Sequence, residues 1–396
     1  MIVGEIRENV FSTSVKDWDR RLFDELIPLP EGTTYNSYLI KGKEKTALID
    51  TVYTPRAAEL LSDIKKLGVA KLDYVICNHA EQDHSGSIPK VLEAFPDSKV
   101  VTNPKCKGML MDSLLVADDR FMTVNDRETL SLGDRTLEFI YAPWVHWPET
   151  MFTYLREDKI LFTCDFLGSH LATSSLFVDD EPLVERAAKR YYAEIMMPFR
   201  VMIKNNLEKI KGLSVEVIAT SHGPIYDKPD FILNLYREWV SDQVKNVVVI
   251  PYVSMYGDTG KMVNYLVETL AQKGITVKPF NLTATDIGEL AMCLVDAATI
   301  VVGSPTVFTG PHPVMAYGAY LINALRPKTK FATVIGSYGW GSKMLEDLKS
   351  MLSNLKVELL EPVIVKGHPK NDDFKALDRL AENILEKHKA LGVTSA

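Results

Sequence analysis

Residues 79–86 read HAEQDHSG and follow the apolar run LDYVICN, so His79, Glu81, Asp83 and His84 stand at the mouth of an expected strand. In an extended segment successive side chains alternate, which would put His79, Glu81 and Asp83 on one side and turn His84 away. A polar loop capping a following helix would use the same residue types, so the octapeptide alone decides nothing. More distant residues change the balance. Only eight histidines occur in 396 residues, and three further strand ends carry the same chemistry. RTLEFIYAP runs into WVHWPE with His146, KILFTCDF ends at Asp165, and VEVIATSHGP delivers His222. Imidazoles and carboxylates from separate strand mouths suit a pair of divalent transition metals, because each ion needs several N/O donors and a carboxylate can bridge two of them. Trp144 and Trp147 flank His146 and are candidates for a pocket wall or for plain core, and His170 follows Asp165.

A second chemistry lies in the other half. VVVIPYVSMYGDTG sets Ser254, Met255, Tyr256, Gly257, Asp258 and Thr259 between a strand and a helix. Hydroxyls, small residues and backbone N–H groups at a helix N-terminus form an anion nest suited to phosphate. Two later strand ends add Ser304, Pro305 and Thr306 in VVGSPTVF, then Ser337, Tyr338, Gly339, Trp340 and Gly341 in VIGSYGWG. In a doubly wound sheet, ligands sit outside the carboxyl ends of the strands, where these loops fall. No G-x-G-x-x-G opens the first helix, so a terminal phosphate fits better than a dinucleotide.

The elements that must position these groups fall into two patterns. The first half alternates short β-rich runs, such as TTYNSYLIKG, KTALIDTV, LDYVICN, MFTYLRE and VEVIATSHG, with helix-like stretches such as PRAAELLSDIKKLG and IPKVLEAF. Residues 181–212 and 230–245 are the longest helical candidates. From Asn246 onward the chain repeats apolar strand then amphipathic helix five times, which predicts a parallel sheet with helices on both faces. The change of pattern divides the chain into 1–246 and 247–396.

Composition narrows the class. A 46% hydrophobic, 24% charged chain with net charge -7 is that of a folded globular protein and lacks the basic face that nucleic-acid phosphates need. No apolar run approaches the roughly twenty residues of a membrane span, and the N-terminus does not read as a signal peptide, so a cytoplasmic protein is expected. Four scattered cysteines, Cys77, Cys106, Cys164 and Cys293, form no C-x-x-C pair, so a metal here must use nitrogen and oxygen ligands.

The order H-x-E-x-D-H at 79–84, then His146, Asp165 and His222, resembles the metallo-β-lactamase fold with one departure: hydrolases of that fold usually carry His where this chain has Glu81. An added carboxylate hardens the site and favours iron over zinc. The Glu version is the mark of the flavodiiron proteins, or A-type flavoproteins, and the loops of the second half resemble flavodoxin. The resemblance covers nearly the whole chain. It implies a metallo-β-lactamase-like αββα sandwich followed by a flavodoxin-like, doubly wound, five-stranded parallel sheet.

The same resemblance implies that His79, Glu81 and His146 hold one iron, Asp83 and His222 the other, and that Asp165 bridges. His84 is counted with them, although it is often turned away in flavodiiron members. Tyr191 or Tyr192, in a stretch shared with the family, is expected to face the pocket. The loops at 254–259, 304–306 and 337–341 would hold FMN. Electrons would pass from an external donor, rubredoxin or a reduced deazaflavin coenzyme, through FMN to the irons, reducing dioxygen to water, nitric oxide to nitrous oxide, or both. No base or nucleophile from the protein is required. A head-to-tail homodimer, with pairing into a homotetramer left open, is implied, since flavin and irons lie at opposite ends of one chain in that family. The rival reading is a zinc hydrolase with a flavodoxin-like appendage, against which Glu81 and the flavin loops argue.

Overall fold

In the computed structural model, which describes residues 4–394, the alternation read in YLIK becomes the strand Tyr38–Lys41, with Tyr38 and Ile40 in one core and Leu39 in another. The same split recurs along the sheet. Ala47 and Ile49 join the first core and Leu48 the second; Ile76 and Val101 oppose Val75 and Val100. A sheet buried on both faces follows from a period of two with apolar residues at every position.

This sheet has seven strands, in the spatial order Gly4–Arg7, Val10–Ser12, Tyr38–Lys41, Thr46–Ile49, Tyr74–Ile76, Lys99–Thr102 and Phe121–Thr123. A second sheet orders Thr129–Ser131, Thr136–Tyr141, Met151–Leu155, Ile160–Cys164 and Val217–Thr220. The first core lies between them, where Tyr38, Ile40 and Ile76 of one sheet meet Phe139, Met151 and Phe162 of the other. Each such side chain contributes about 1.5–3 kcal/mol by leaving water. The second core packs the outer face of the seven-stranded sheet under the helices Ala57–Lys66, Ile88–Ala94 and Pro104–Leu114. Beyond the five-stranded sheet, Phe152 stacks on Phe166, which meets Tyr236 of the helix Pro229–Val240. Helix, sheet, sheet and helix layers make the αββα sandwich of the metallo-β-lactamase fold.

The long helical stretch at 181–212 is not continuous. It comprises the α-helices Glu181–Tyr191 and Arg200–Ile210, joined by a wide turn over Tyr192–Met196 and a tight one over Met197–Phe199. Pro198 has no N–H to donate four residues back and its ring crowds that carbonyl, so the helix restarts after it.

By contact, one compact unit runs to Tyr192 and resumes over Phe199–Val240, and the other comprises Ala193–Pro198 and the chain from Ser241. The second unit holds a parallel sheet in the order Thr276–Asn281, Lys245–Tyr252, Ala297–Val307, Phe331–Tyr338, then a fifth strand in two pieces, Glu358–Leu359 and Val363–Lys366. Pro362 interrupts that last strand because it cannot donate to the ladder. Helices Asp258–Gln272 and Asn371–Ala390 pack Leu266, Leu270, Leu380 and Ile384 on one face, against Val248, Ile250, Val301 and Ile335. The strand order places the switch point between the first and third strands, as in flavodoxin. Among the described residues no helix is long and apolar enough to cross a membrane.

Candidate functional site

The metal-type residues gather at the ends of the two sheets of the first unit. His79 lies just past Tyr74–Ile76, Asp165 directly follows Ile160–Cys164, His222 follows Val217–Thr220, and His146 sits in the loop after Thr136–Tyr141. Residues 82–85 are not extended as expected. They form one helical turn, Gln82–Ser85, in which the Glu81 carbonyl accepts from His84 N–H at 3.1 Å and Ser85 N–H at 2.8 Å. The turn swings Asp83 and His84 inward together, so His84 does not point away.

Among the described residues two groups of nitrogen and oxygen donors result, His79, Glu81, His146 and Asp165, and Asp83, His84 and His222; a third, overlapping group sets Cys164, whose thiol burial holds protonated, beside His84 and Asp165. In the first, Glu81 Oε2 lies 3.1 Å from both His79 Nε2 and His146 Nε2, and Asp165 Oδ2 lies 3.0 Å from His146 Nε2. In the second, His222 Nε2 lies 3.1 Å from Asp83 Oδ2 and His84 Nε2 3.2 Å from Asp83 Oδ1. Asp165 Oδ1 faces this second group, 2.9 Å from His84 Nε2 and 3.4 Å from His222 Nε2. One carboxylate thus offers an oxygen to each group.

Second partners set the rings. His79 Nδ1–H donates to Glu149 Oε1 at 2.7 Å and His222 Nδ1–H to the Thr34 carbonyl at 2.5 Å, so both rings turn Nε2 toward the cluster. Gly223 after His222 has φ +81, and a Cβ there would stand 2.1 Å from Ser169 Oγ. Cys164 at φ 50 and His146 at φ 34 are left-handed without being glycine. Each costs about 1–3 kcal/mol, the backbone strain typical of a functional loop.

Charge follows the geometry. Burial alone would lower His146 and His222, but the adjacent carboxylates outweigh it: Asp165 and Glu81 raise His146 to about 9, and Asp165 and Asp83 raise His222 to about 10. Burial likewise opposes ionisation of Glu81 and Asp165, yet the surrounding imidazoles hold both below the usual carboxylate range.

The donor set fits a pair of cations. Both Asp83 oxygens, Asp165 Oδ1 and His84 Nε2 are buried without a hydrogen-bond partner of usable geometry, an arrangement that a cation relieves. Donors around a metal with bonds of about 2.1 Å sit about 3 Å apart, which is the spacing here. Three carboxylates among four imidazoles make an oxygen-rich set that suits iron.

The neighbours sort themselves too. Tyr191 lies against His170 and His222, with ring centroids 4.9 and 6.0 Å away, while the Tyr192 hydroxyl turns to the Trp239 carbonyl at 3.3 Å. The His170 ring lies tilted against that of His222, centroids 4.6 Å apart, and is held neutral by burial and by the His222 charge. Trp147 stands edge-on to His79 at 5.0 Å; Trp144 stacks on Phe199 instead. Glu149 escaped the sequence reading: a carboxylate in HWPE was visible, but its approach to His79 was not.

In the second unit, the three expected loops meet. Thr259 Oγ1 lies 3.3 Å from Ser337 Oγ, Thr306 Oγ1 lies 2.8 Å from Ser342 Oγ, and Ser304 and Pro305 pair in register with Gly336 and Ser337. Gly257, at φ 94, precedes the helix Asp258–Gln272 and, as glycine, brings no side chain to cap it. The N–H groups of Asp258 and Thr259 at its start are suited to an anion. Ser254 Oγ accepts from Gly260 N–H at 3.0 Å, and Asp258 is drawn aside to His368 Nδ1 at 2.8 Å. Tyr256 and Trp340 are 90% and 87% exposed beside these loops, with Met255 half exposed. Large apolar side chains left in water there suit a planar ring to cover.

A family model described as ODP family beta lactamase matches residues 33–223. The chain is 37% identical to the nitric oxide reductase of Moorella thermoacetica, over 96% of this chain and 97% of that one. It is 31% identical to the coenzyme F420H2 oxidase of Methanothermobacter marburgensis, over 94% and 95%, and 32% identical to a flavo-diiron protein of Clostridium acetobutylicum, over 96% and 98%. The solved structure of rubredoxin oxygen:oxidoreductase from Desulfovibrio gigas superposes with a TM-score of 0.94 at 32% identity, over 98% of this chain and 99% of that one. Fold and relatives agree over the full length: the chain belongs to the flavodiiron protein family.

Proposed function

We propose that this protein is an oxidoreductase that passes electrons from an external donor through FMN to a diiron centre, reducing dioxygen to water, nitric oxide to nitrous oxide, or both. A diiron domain, 1–246, and an FMN domain, 247–396, divide the work. The observation that carries the reading is Asp165, whose two oxygens face two separate N/O groups, one of them containing Glu81 in place of an imidazole.

When bound, the iron pair supplies the redox chemistry at which a small diatomic is reduced. His79, Glu81 and His146 would hold one ion and Asp83, His84 and His222 the other, with Asp165 offering an oxygen to each. Trp147 and Tyr191 wall the cleft and limit water. Ser254, Met255, Tyr256, Gly257, Asp258 and Thr259 would hold the phosphate of FMN, and Ser304, Pro305, Thr306, Ser337, Tyr338, Gly339, Trp340 and Gly341 its ring. The donor is rubredoxin or a reduced deazaflavin coenzyme, the working unit is a head-to-tail homodimer, and the setting is cytoplasmic.

The test is anaerobic reduction of the purified protein followed by separate pulses of each gas, with consumption read by electrode and metal content measured alongside. Two irons per chain, one flavin and consumption of at least one gas are expected. Zinc in place of iron, with turnover of a thioester, would overturn the reading.

A further inference from the structure

Glu149 is a carboxylate behind one group of candidate ligands that, among the described residues, has no counterpart behind the other. It is 2% exposed, its Oε1 accepts from His79 Nδ1–H at 2.7 Å and from Ala80 N–H at 2.9 Å, and its Oε2 is buried without a hydrogen-bond partner. The Glu149 carbonyl accepts from Asn103 Nδ2 at 2.5 Å, which ties it to the residue capping Pro104–Leu114. His146 stands on the same loop between Thr136–Tyr141 and Met151–Leu155, but the direct contact of the Glu149 carboxylate is with His79. The second group is backed differently: His222 donates to the neutral Thr34 carbonyl, and His84 Nδ1 is buried with no partner.

We propose that Glu149 is a positioning residue that makes the two metal positions electronically unequal. A carboxylate accepting the Nδ1 proton increases the basicity of the ring beyond what a carbonyl does, so His79 Nε2 is the stronger electron donor. The position held by His79, Glu81 and His146 therefore favours ferric iron and is the second of the two to accept its single electron during reduction. It also takes the first equivalent of a divalent ion. The inference rests on the diiron reading above.

The experiment uses the full-length protein in three forms: wild type, Glu149→Gln and Glu149→Asp. Glu149→Gln keeps the shape and an acceptor oxygen but removes the charge; Glu149→Asp keeps the charge. Chelator competition should show the tighter ion released 10–100-fold more readily in Glu149→Gln, with the second ion little changed. Stepwise reduction by dithionite, followed by electron paramagnetic resonance of the state with one ferric and one ferrous ion, should show that state over a narrower range of potential in Glu149→Gln and a partly restored range in Glu149→Asp. A residue that merely fills space would move neither in this order.

A second measurement does not depend on those variants folding. One equivalent of Co(II) added to iron-free protein should fill the His79 group, so that His79→Asn alters the spectrum of the first equivalent and His222→Asn only that of the second. The inference is overturned if Glu149→Gln leaves the release and the potential range unchanged, or if His222→Asn alters the first equivalent. Failure of the wild type to bind iron at all would instead sink the diiron reading.

Discussion

His388 permits a prediction whose size follows from the structure. It lies near the end of the helix Asn371–Ala390, fully buried, with Nδ1–H donating to Asn246 Oδ1 and Nε2 accepting from the Thr299 hydroxyl, each at 2.7 Å. Asn246 Nδ2 donates to the Gly274 carbonyl at 3.0 Å, which fixes its oxygen toward the ring. Burial pushes His388 from 6.5 down to about 4. A base whose folded value is depressed binds its proton more readily in the unfolded chain. Its stabilising contribution is therefore complete above 6.5, is lost as pH falls through the window to about 4, and is constant below it. The full window is worth about 3 kcal/mol, of which about 2 are lost between pH of about 7.5 and about 5, a large part of the ~5–15 kcal/mol that a domain possesses. Asn246 and Thr299 belong to the strands that lead into the 254–259 and 304–306 loops, so flavin affinity should weaken in the same range. The assay is urea unfolding and amide hydrogen exchange across Ala297–Val307 at the two pH values, with flavin fluorescence in parallel, on wild type and His388→Gln. Gln offers a donor and an acceptor without titrating, so its profile should be flatter by about 2 kcal/mol. Equal pH slopes in the two proteins would refute the reasoning.

Other perturbations address the sites directly. His79→Asn should abolish gas consumption while leaving flavin reduction intact; consumption that persists would place the reaction away from the metal cluster. Asp165→Ala should empty both metal positions and Asp83→Ala only one, read as iron per chain. Gly223→Ala must adopt the strained φ of 81 and put a methyl against Ser169. It should cost about 1–2 kcal/mol from backbone strain alone and loosen the ion held by His222. Gly223→Ala with Ser169→Ala should recover only the part due to the hydroxyl, because the Ser169 carbonyl oxygen still stands 2.8 Å from the new Cβ. Trp340→Ala, at an exposed position, should change stability by less than about 0.5 kcal/mol yet weaken flavin binding, as fluorescence titration would show.

What could be read in the sequence was what depends on periodicity and punctuation. The strands ending at Ile76, Cys164 and Thr220 announced themselves by apolar runs, and the residues just past them by being rare, polar and repeated at every strand mouth. The same logic set the flavin loops at the carboxyl ends of parallel strands, since a strand–helix repeat dictates where such loops fall. It misjudged the turn at 82–85, because a single helical turn has no periodicity to detect, and with it the direction of His84. It did not anticipate that the helical run at 181–212 would break, although Pro198 stood there as a warning.

Donor atoms have residue types, and residue types can be read; which nitrogen of an imidazole faces a metal is decided by the group on the other nitrogen, and that group has no motif. For His222 it is the backbone carbonyl of Thr34, which any residue would supply and no substitution can remove. For His79 it is the side chain of Glu149, seventy residues away. The two halves of the cluster therefore differ in what selection can act on. The orientation of His222 is guaranteed by the chain path through residues 33–35, whereas the basicity of His79 rests on one replaceable carboxylate. If the irons are unequal, the adjustable one is the one held by His79, and variants at position 149 should shift its potential without disturbing the fold that surrounds it.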